Sequence, residues 1–100
     1  MDCYRLLRNG LKIQWGIKSK GSNLSAGSGW EGISVSSTDG FLSYSNANSY
    51  RIFLTNKTIN AGSELVVNDQ QASSFKFYLY NRNTSTTMTS PSVQWLTIGY

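Results

Sequence analysis

The sequence predicts an all-β protein, an antiparallel β-sandwich of about six to eight short strands. Three observations lead there. Short runs alternate apolar and polar residues with a period of two, as in Leu11-Lys12-Ile13-Gln14-Trp15-Gly16-Ile17-Lys18, and no stretch carries a helical period. Turn-forming clusters punctuate the chain at short intervals: Asn9-Gly10, Thr38-Asp39-Gly40, Asn46-Ala47-Asn48-Ser49 and Asn68-Asp69-Gln70-Gln71. Ser, Thr, Asn and Gly dominate the polar positions, with 13% aromatic and only 14% charged residues, where a helical protein would favour Ala, Glu, Lys and Leu. At 100 residues the chain suffices for one core, so a single domain over residues 1–100 is expected.

The first element is a hairpin over residues 4–18. Residues 4–8 form one strand, Asn9-Gly10 fits a type I′ turn with its two positive φ angles, and Leu11, Ile13, Trp15 and Ile17 mark the buried face of the second strand. Residues 19–32 make a long Gly/Ser/Asn-rich loop carrying Leu24 and Trp30. A short strand at 33–36, a turn at 38–40 and a strand at 41–45 follow. The next strand, 50–55, sets Tyr50, Ile52 and Leu54 on one side. Residues 56–62 connect it to a strand at 64–67, and 68–71 is a turn. The strand at 74–80 points Phe75, Phe77 and Leu79 inward and Lys76, Tyr78 and Tyr80 outward. Residues 81–91 form a second long polar loop.

The last strand, 92–100, is apolar on both faces. Val93, Trp95, Thr97 and Gly99 share one, and Leu96, Ile98 and Tyr100 the other. A strand of this kind needs a core on one side and a second layer or another subunit on the other. The first face finds partners in the Trp15 and Phe75/Phe77/Leu79 runs, and the second finds none, which marks it as an association surface.

The composition narrows the chemistry. With one cysteine, Cys3, and no histidine, neither an intramolecular disulfide nor an ordinary zinc site is available. Five carboxylates, Asp2, Glu31, Asp39, Glu64 and Asp69, are scattered without the spacing of an acid–base pair, so no enzyme activity, metal or cofactor is expected. No apolar run is long enough to span a bilayer, and the amino terminus lacks the apolar core of a signal peptide. The formal net charge of +4 comes from dispersed cations, which disfavours a nucleic-acid groove; Lys76, Tyr78 and Tyr80 on one strand face give only a weak version of one.

Strand parity assembles a candidate ligand site. If consecutive strands run antiparallel, loops 19–32, 56–62 and 81–91 fall at one end. Lys20, Asn23, Trp30, Lys57, Arg82, Asn83 and Thr86 then converge, and their amides, hydroxyls and cations suit sugar hydroxyls, which donate and accept. Trp30 either stacks on a pyranose ring or caps the sandwich. Tyr78 and Tyr80, each a flat apolar body with a hydroxyl, face a partner subunit or a ligand.

Two segments carry a resemblance. Tyr4-Arg5, Asn9-Gly10 and Ile13-Gln14-Trp15-Gly16 near the start, with Trp95-Leu96-Thr97-Ile98-Gly99-Tyr100 at the end, resemble the carboxyl-terminal receptor-binding domain of bacteriophage tail fibres. In that family a strand ending in Gln-Trp-Gly or Gln-Gly-Gly opens the domain and a Trp-x-x-Ile-Gly-Tyr-like strand closes it. Residues 41–52 are similar to the family's apolar strand, Asn-rich turn and Tyr-led strand, whereas its prolines around the third strand have no counterpart. The family is similar in architecture to the H-type lectins. The resemblance implies a homotrimeric, lectin-like sandwich at a fibre tip, acting outside the cell as part of the virion in host attachment, with bacterial surface carbohydrate or lipopolysaccharide as partner. Tyr78, Tyr80, Leu96, Ile98 and Tyr100 are then the subunit-interface candidates. The alternatives are a stand-alone lectin-like or structural virion sandwich and a small β-barrel nucleic-acid module.

Overall fold

The computed structural model describes residues 3–6, 9–57 and 62–100, with residues 3–5 as backbone. Seven strands run in the order β1 (Cys3–Leu6), β2 (Lys12–Ser19), β3 (Gly29–Val35), β4 (Tyr50–Asn56), β5 (Ser63–Gln70), β6 (Phe75–Asn81) and β7 (Ser92–Gly99). A four-stranded sheet in the order β1-β2-β7-β4 faces a three-stranded sheet in the order β3-β6-β5, every pairing antiparallel. The expected antiparallel sandwich is the fold.

The core forms where period-two faces meet. Val93 and Trp95 on β7, Phe75, Phe77 and Leu79 on β6, and Ile33 and Val35 on β3 are buried between the sheets. Phe41 packs edge-on against Phe75 and Trp95 with centroids 5.6 and 5.9 Å away, and Tyr44 stacks on Tyr50 at 4.2 Å. Such aromatic pairs add to the area burial that dominates the stability of a small domain. On β7 the parity reading holds: Val93, Trp95, Thr97 and Gly99 are buried, Leu96 and Tyr100 exposed and Ile98 half-buried. Gly99 faces a site with no room for a side chain, since a Cβ there would lie 2.2 Å from the Ser49 carbonyl oxygen.

Four expectations are corrected. The first concerns β2. Its buried positions are Gln14 and Gly16, and Trp15 is 39% exposed on the outer face with Ile13 and Ile17 half-buried beside it. The alternation was real, but the apolar set faces away from the core. The inward amide of Gln14 is accommodated because it spans the backbone of Leu42, Nε2 donating to the carbonyl at 2.9 Å and Oε1 accepting from the N–H at 2.7 Å.

That clamp explains the second correction, for residues 41–45 form no strand. After a 3₁₀ turn at Ser37–Asp39, Phe41 and Tyr44, three positions apart, both turn inward. The side chains of Gln14 and Lys12 take the backbone groups of Leu42 and Ser43 that a ladder would have used. The Lys18–Asp39 ion pair holds the turn against β2.

The third correction is one of register. Leu6 pairs with Lys12 and Cys3 with Trp15, a register one residue away from the one that a two-residue turn at Asn9-Gly10 would set. A shift of one residue exchanges the faces of a strand. The Leu7-Arg8 end of the expected first strand lies outside the described residues. Fourth, β3 starts within the expected loop, at Gly29, with an irregularity between Trp30 and Ile33 where Gly32 adopts φ +67°, and β5 runs on to Gln70 through the expected turn.

Candidate functional site

Two surfaces stand out, one at an end of the sandwich and one on the outer face of the four-stranded sheet. At the end, the pairing of Ser19 with Ser92 and of Asn56 with Val93 brings together the loop after β2, the loop before β7 and the exit of β4. The entry to β3 and the exit of β6 join them, since Gly29 pairs with Tyr80. Residues 58–61 of the β4–β5 connection lie outside the described residues.

The two long loops are tied to each other. Leu24 and Met88 exchange backbone bonds of 2.8 and 2.9 Å, the Lys20 N–H donates to the Pro91 carbonyl at 3.0 Å, and the Ser90 N–H donates to Asn23 Oδ1 at 3.1 Å. Ser90 sits at φ +40°, a left-handed conformation disfavoured for a residue with a side chain, and the Asn23 bond holds it there. Asn81 is the hub. Fully buried, it donates through Nδ2 to the carbonyls of Leu24 (3.0 Å) and Thr86 (2.8 Å), and its Oδ1 accepts from the backbone and side chain of Asn83. An amide with two donors and two acceptor lone pairs meets all these demands at once.

The seven candidate ligand residues do not form one cluster. Lys20, Asn23, Lys57 and Thr86 lie on the converging loops, with the Lys20 ammonium donating to Ser22 Oγ. Asn83 is engaged with Asn81, and Trp30 is half-buried against the core as a cap. Arg82 turns onto the three-stranded sheet, where its guanidinium lies 4.6 Å from the Tyr80 ring centroid and 2.8 Å from Glu64. The hydrogen bond to Glu64 raises its pKa further.

The five interface candidates separate as well. Tyr78 and Tyr80 stand on the three-stranded sheet, whereas Leu96, Ile98 and Tyr100 belong to the four-stranded one. The Tyr80 hydroxyl donates to Glu31, a bond that raises its pKa, and its ring occupies the space above Gly29 where a Cβ would stand 2.4 Å away. Tyr80 is thus satisfied within its own protomer.

The outer face of the four-stranded sheet was only partly foreseen. One row across three strands reads Trp15, Leu96, Phe53; its neighbours read Ile13, Ile98, Arg51 and Ile17, Gln94, Thr55. Phe53 is 57% exposed and Leu96 39%, so the middle row is an apolar stripe open to solvent. A groove of about 580 Å³ lies between Trp15 and Phe53 over Leu96 and runs toward Thr55, Gln94 and Lys57. Trp15, Phe53 and Gln94 were not among the candidates. The period-two pattern of β2 carried the signal for Trp15, but it cannot say which face looks inward.

These two sheets and their shared loop end define an antiparallel β-sandwich whose fold is shared with solved tail-fibre structures. All of the chain superposes on 28% of a chain in the structure of the Pseudomonas aeruginosa R1 pyocin fibre, with a TM-score of 0.68 and 10% identity. It also superposes over 98% of its length on 86% of an N-truncated R1-type pyocin tail fibre, with a TM-score of 0.53 and 13% identity. No protein-family model and no curated protein matches the sequence. The chain spans little more than a quarter of the first of these fibre chains, and at such identities the likeness establishes the fold. No described helix is long and apolar enough to cross a membrane.

Proposed function

We propose that this chain is a receptor-binding domain of a tail fibre or related virion protein, a homotrimer that attaches to bacterial surface carbohydrate outside the cell. The observation that carries the reading is the superposition of the whole chain on a pyocin fibre. The role is binding without catalysis. Of the acidic side chains among the described residues, Glu31 accepts from Tyr80, Asp39 pairs with Lys18, Glu64 with Arg82, and Asp69 accepts from Gln71, so these four are committed to structural contacts.

The trimer reading is supported by the Trp15–Leu96–Phe53 stripe. Covering such side chains is worth roughly 1.5–3 kcal/mol each, appreciable beside a domain stability of about 5–15 kcal/mol. The interface on this reading comprises Leu96, Ile98 and Tyr100 with Trp15 and Phe53 added, and Tyr78 and Tyr80 lie outside it. The ligand reading rests on the loop end, where Lys20, Asn23, Lys57 and Thr86 offer ammonium, amide and hydroxyl groups on a braced backbone. Single sugar contacts exchange one set of hydrogen bonds for another and are weak, and threefold repetition raises avidity by about 10²–10⁴.

The test is binding to whole bacterial envelopes and to a glycan and lipopolysaccharide array, with single-stranded DNA as comparison. Wild type should bind envelopes and glycans, and a Lys20→Ala, Asn23→Ala, Thr86→Ala variant should lose that binding while keeping its fold. Equal binding by the variant would remove the loop-end site, and preferential DNA binding would favour the nucleic-acid reading.

A further inference from the structure

The turn between β1 and β2 places a reactive pair of residues at the surface. Asn9 and Gly10 are both exposed, and Asn9 is the one asparagine in the sequence that glycine follows. Gly10 adopts φ +86°, and a Cβ built on it would meet nothing within 4 Å, so the main chain is open where other residues carry a side chain. The Gly10 N–H makes no hydrogen bond to the described residues. The Leu11 N–H donates to Asn9 Oδ1 at 3.3 Å, and Asn9 Nδ2 donates to the Tyr100 hydroxyl at 3.3 Å.

We infer that Asn9 is a site of spontaneous deamidation and that its conversion to isoaspartate loosens the edge strand β1. The Gly10 nitrogen, giving up its proton to hydroxide, attacks Asn9 Cγ. The Cγ–Nδ2 bond breaks, ammonia leaves and a five-membered succinimide closes. The Leu11 N–H is placed to stabilise the negative charge that develops on Oδ1 during the attack. Water then opens the ring at one of its two carbonyls. Cleavage between the Gly10 nitrogen and Cγ leaves aspartate, and cleavage between that nitrogen and the main-chain carbonyl carbon leaves isoaspartate. One water is consumed and one ammonia released, with no change of oxidation state.

Elsewhere the fold withdraws the attacking nitrogen. The N–H that follows Asn23 donates to the Met88 carbonyl at 2.8 Å, and the one after Asn48 to the Asn46 carbonyl at 3.3 Å. The one after Asn56 donates to the Ser92 carbonyl at 2.9 Å, and the one after Asn81 to the Gly62 carbonyl at 2.6 Å. Each must surrender that bond before it can react, which slows the step by about tenfold for a hydrogen bond of ordinary net strength. The consequence of reaction at Asn9 falls on β1, which lies at the edge of its sheet and pairs with β2 alone, whereas β2 is also held by β7. Isoaspartate inserts a methylene into the main chain of the turn between them and removes the Nδ2–H that reaches Tyr100.

The experiment ages the full chain at mildly alkaline pH and follows it by peptide mass mapping, with isoaspartyl methyltransferase labelling to measure isoaspartate. Cleavage after Arg8 and Lys12 isolates residues 9–12. This peptide should gain one mass unit about tenfold faster, or more, than Asn23, Asn48, Asn56 or Asn81, each located by fragmentation. Asn9→Gln, shown by circular dichroism to keep its sheet content, retains an amide but would need a six-membered ring, and should stay unmodified over the same time. Hydrogen exchange on the aged protein should be faster at Cys3–Leu6 and unchanged in β7. A native peptide 9–12 that stays intact while the urea-unfolded chain deamidates there overturns the site, and so does reaction at Asn48 at an equal rate. Reaction of Asn9→Gln as fast as wild type overturns the cyclisation. Aged protein rich in isoaspartate with unchanged exchange at Cys3–Leu6 overturns the loosening of β1.

Discussion

Trp15 lies directly opposite Leu96 across the β2–β7 ladder, and both side chains point away from the core, while Trp95 next door is 2% exposed beneath them. The two tryptophans read alike in the sequence, each mid-strand in an alternating run, and they serve opposite sides of one sheet. Trp95 belongs to the folding of the protomer. Trp15 belongs to whatever covers the sheet.

This separation predicts a substitution that removes assembly without harming the fold. Leu96→Lys places an ammonium in the middle of the stripe at a position where the protomer already exposes the side chain. On the proposed trimer reading, the variant should scatter as a monomer at concentrations where wild type scatters as a trimer, with circular dichroism unchanged. A Leu96→Lys protein that remains trimeric would move the seam to another face.

The Gln14 clamp on Leu42 should be among the costlier polar contacts to break. Gln14→Leu keeps the volume close but strands the Leu42 N–H and carbonyl, both now bonded within 3 Å to the amide. A loss of about 2–4 kcal/mol is expected. Urea unfolding in the monomeric Leu96→Lys background keeps assembly out of the measurement. A change below about 0.5 kcal/mol would mean that water replaces the clamp without loss.

The same clamp shows what was legible in the sequence and what was not. Phe75, Phe77 and Leu79 announced their inward face because polar residues separate them and no other surface competes. On β2 both faces carried usable residues, and the choice depended on the hairpin register, which Asn9-Gly10 suggested one residue away from where Leu6 and Lys12 set it. The segment 41–45 looked like a strand because Phe41 and Tyr44 are apolar and aromatic. Its partner was a side chain, Gln14, which no pattern of periodicity encodes. Convergence of the loops at one end follows from parity only because residues 41–45 form no strand, since a strand there would have sent loop 19–32 to the opposite end. Parity also could not foresee that Arg82 would fold back over Tyr80.

Asn81 should control the order of the loop end. Asn81→Ala frees the carbonyls of Leu24 and Thr86 and both donors of Asn83 from their shared partner. The expected loss is about 2–4 kcal/mol, with faster amide hydrogen exchange at Leu24 and Met88, whose mutual bonds close the loops. Exchange at Phe77 and Trp95, in the core strands, should shift only by the global loss of stability. Uniform acceleration everywhere would make Asn81 an ordinary core residue rather than a brace for the loops.

Tyr50 makes the protein sensitive to alkali. Burial, followed by the proximity of Tyr44 and Asp69, lifts its pKa from 10.0 to about 12, and its hydroxyl donates to the carbonyls of Gln71 (2.5 Å) and Ser74 (3.2 Å). A folded-state pKa above the unfolded one favours the neutral phenol in the native state. The resulting stability, at most a few kcal/mol, is fully present below about pH 10 and is lost as the pH rises through about 12. Tyr80 shifts in the same direction through its bond to Glu31, but it is open to solvent and should add little. Denaturation of wild type should therefore steepen over that window. Tyr50→Phe should begin about 0.5–1.5 kcal/mol less stable at neutral pH, having lost the two hydroxyl bonds, and then show a flatter alkaline limb because nothing at that position ionises. Parallel limbs for the two proteins would place the alkaline sensitivity at another tyrosine.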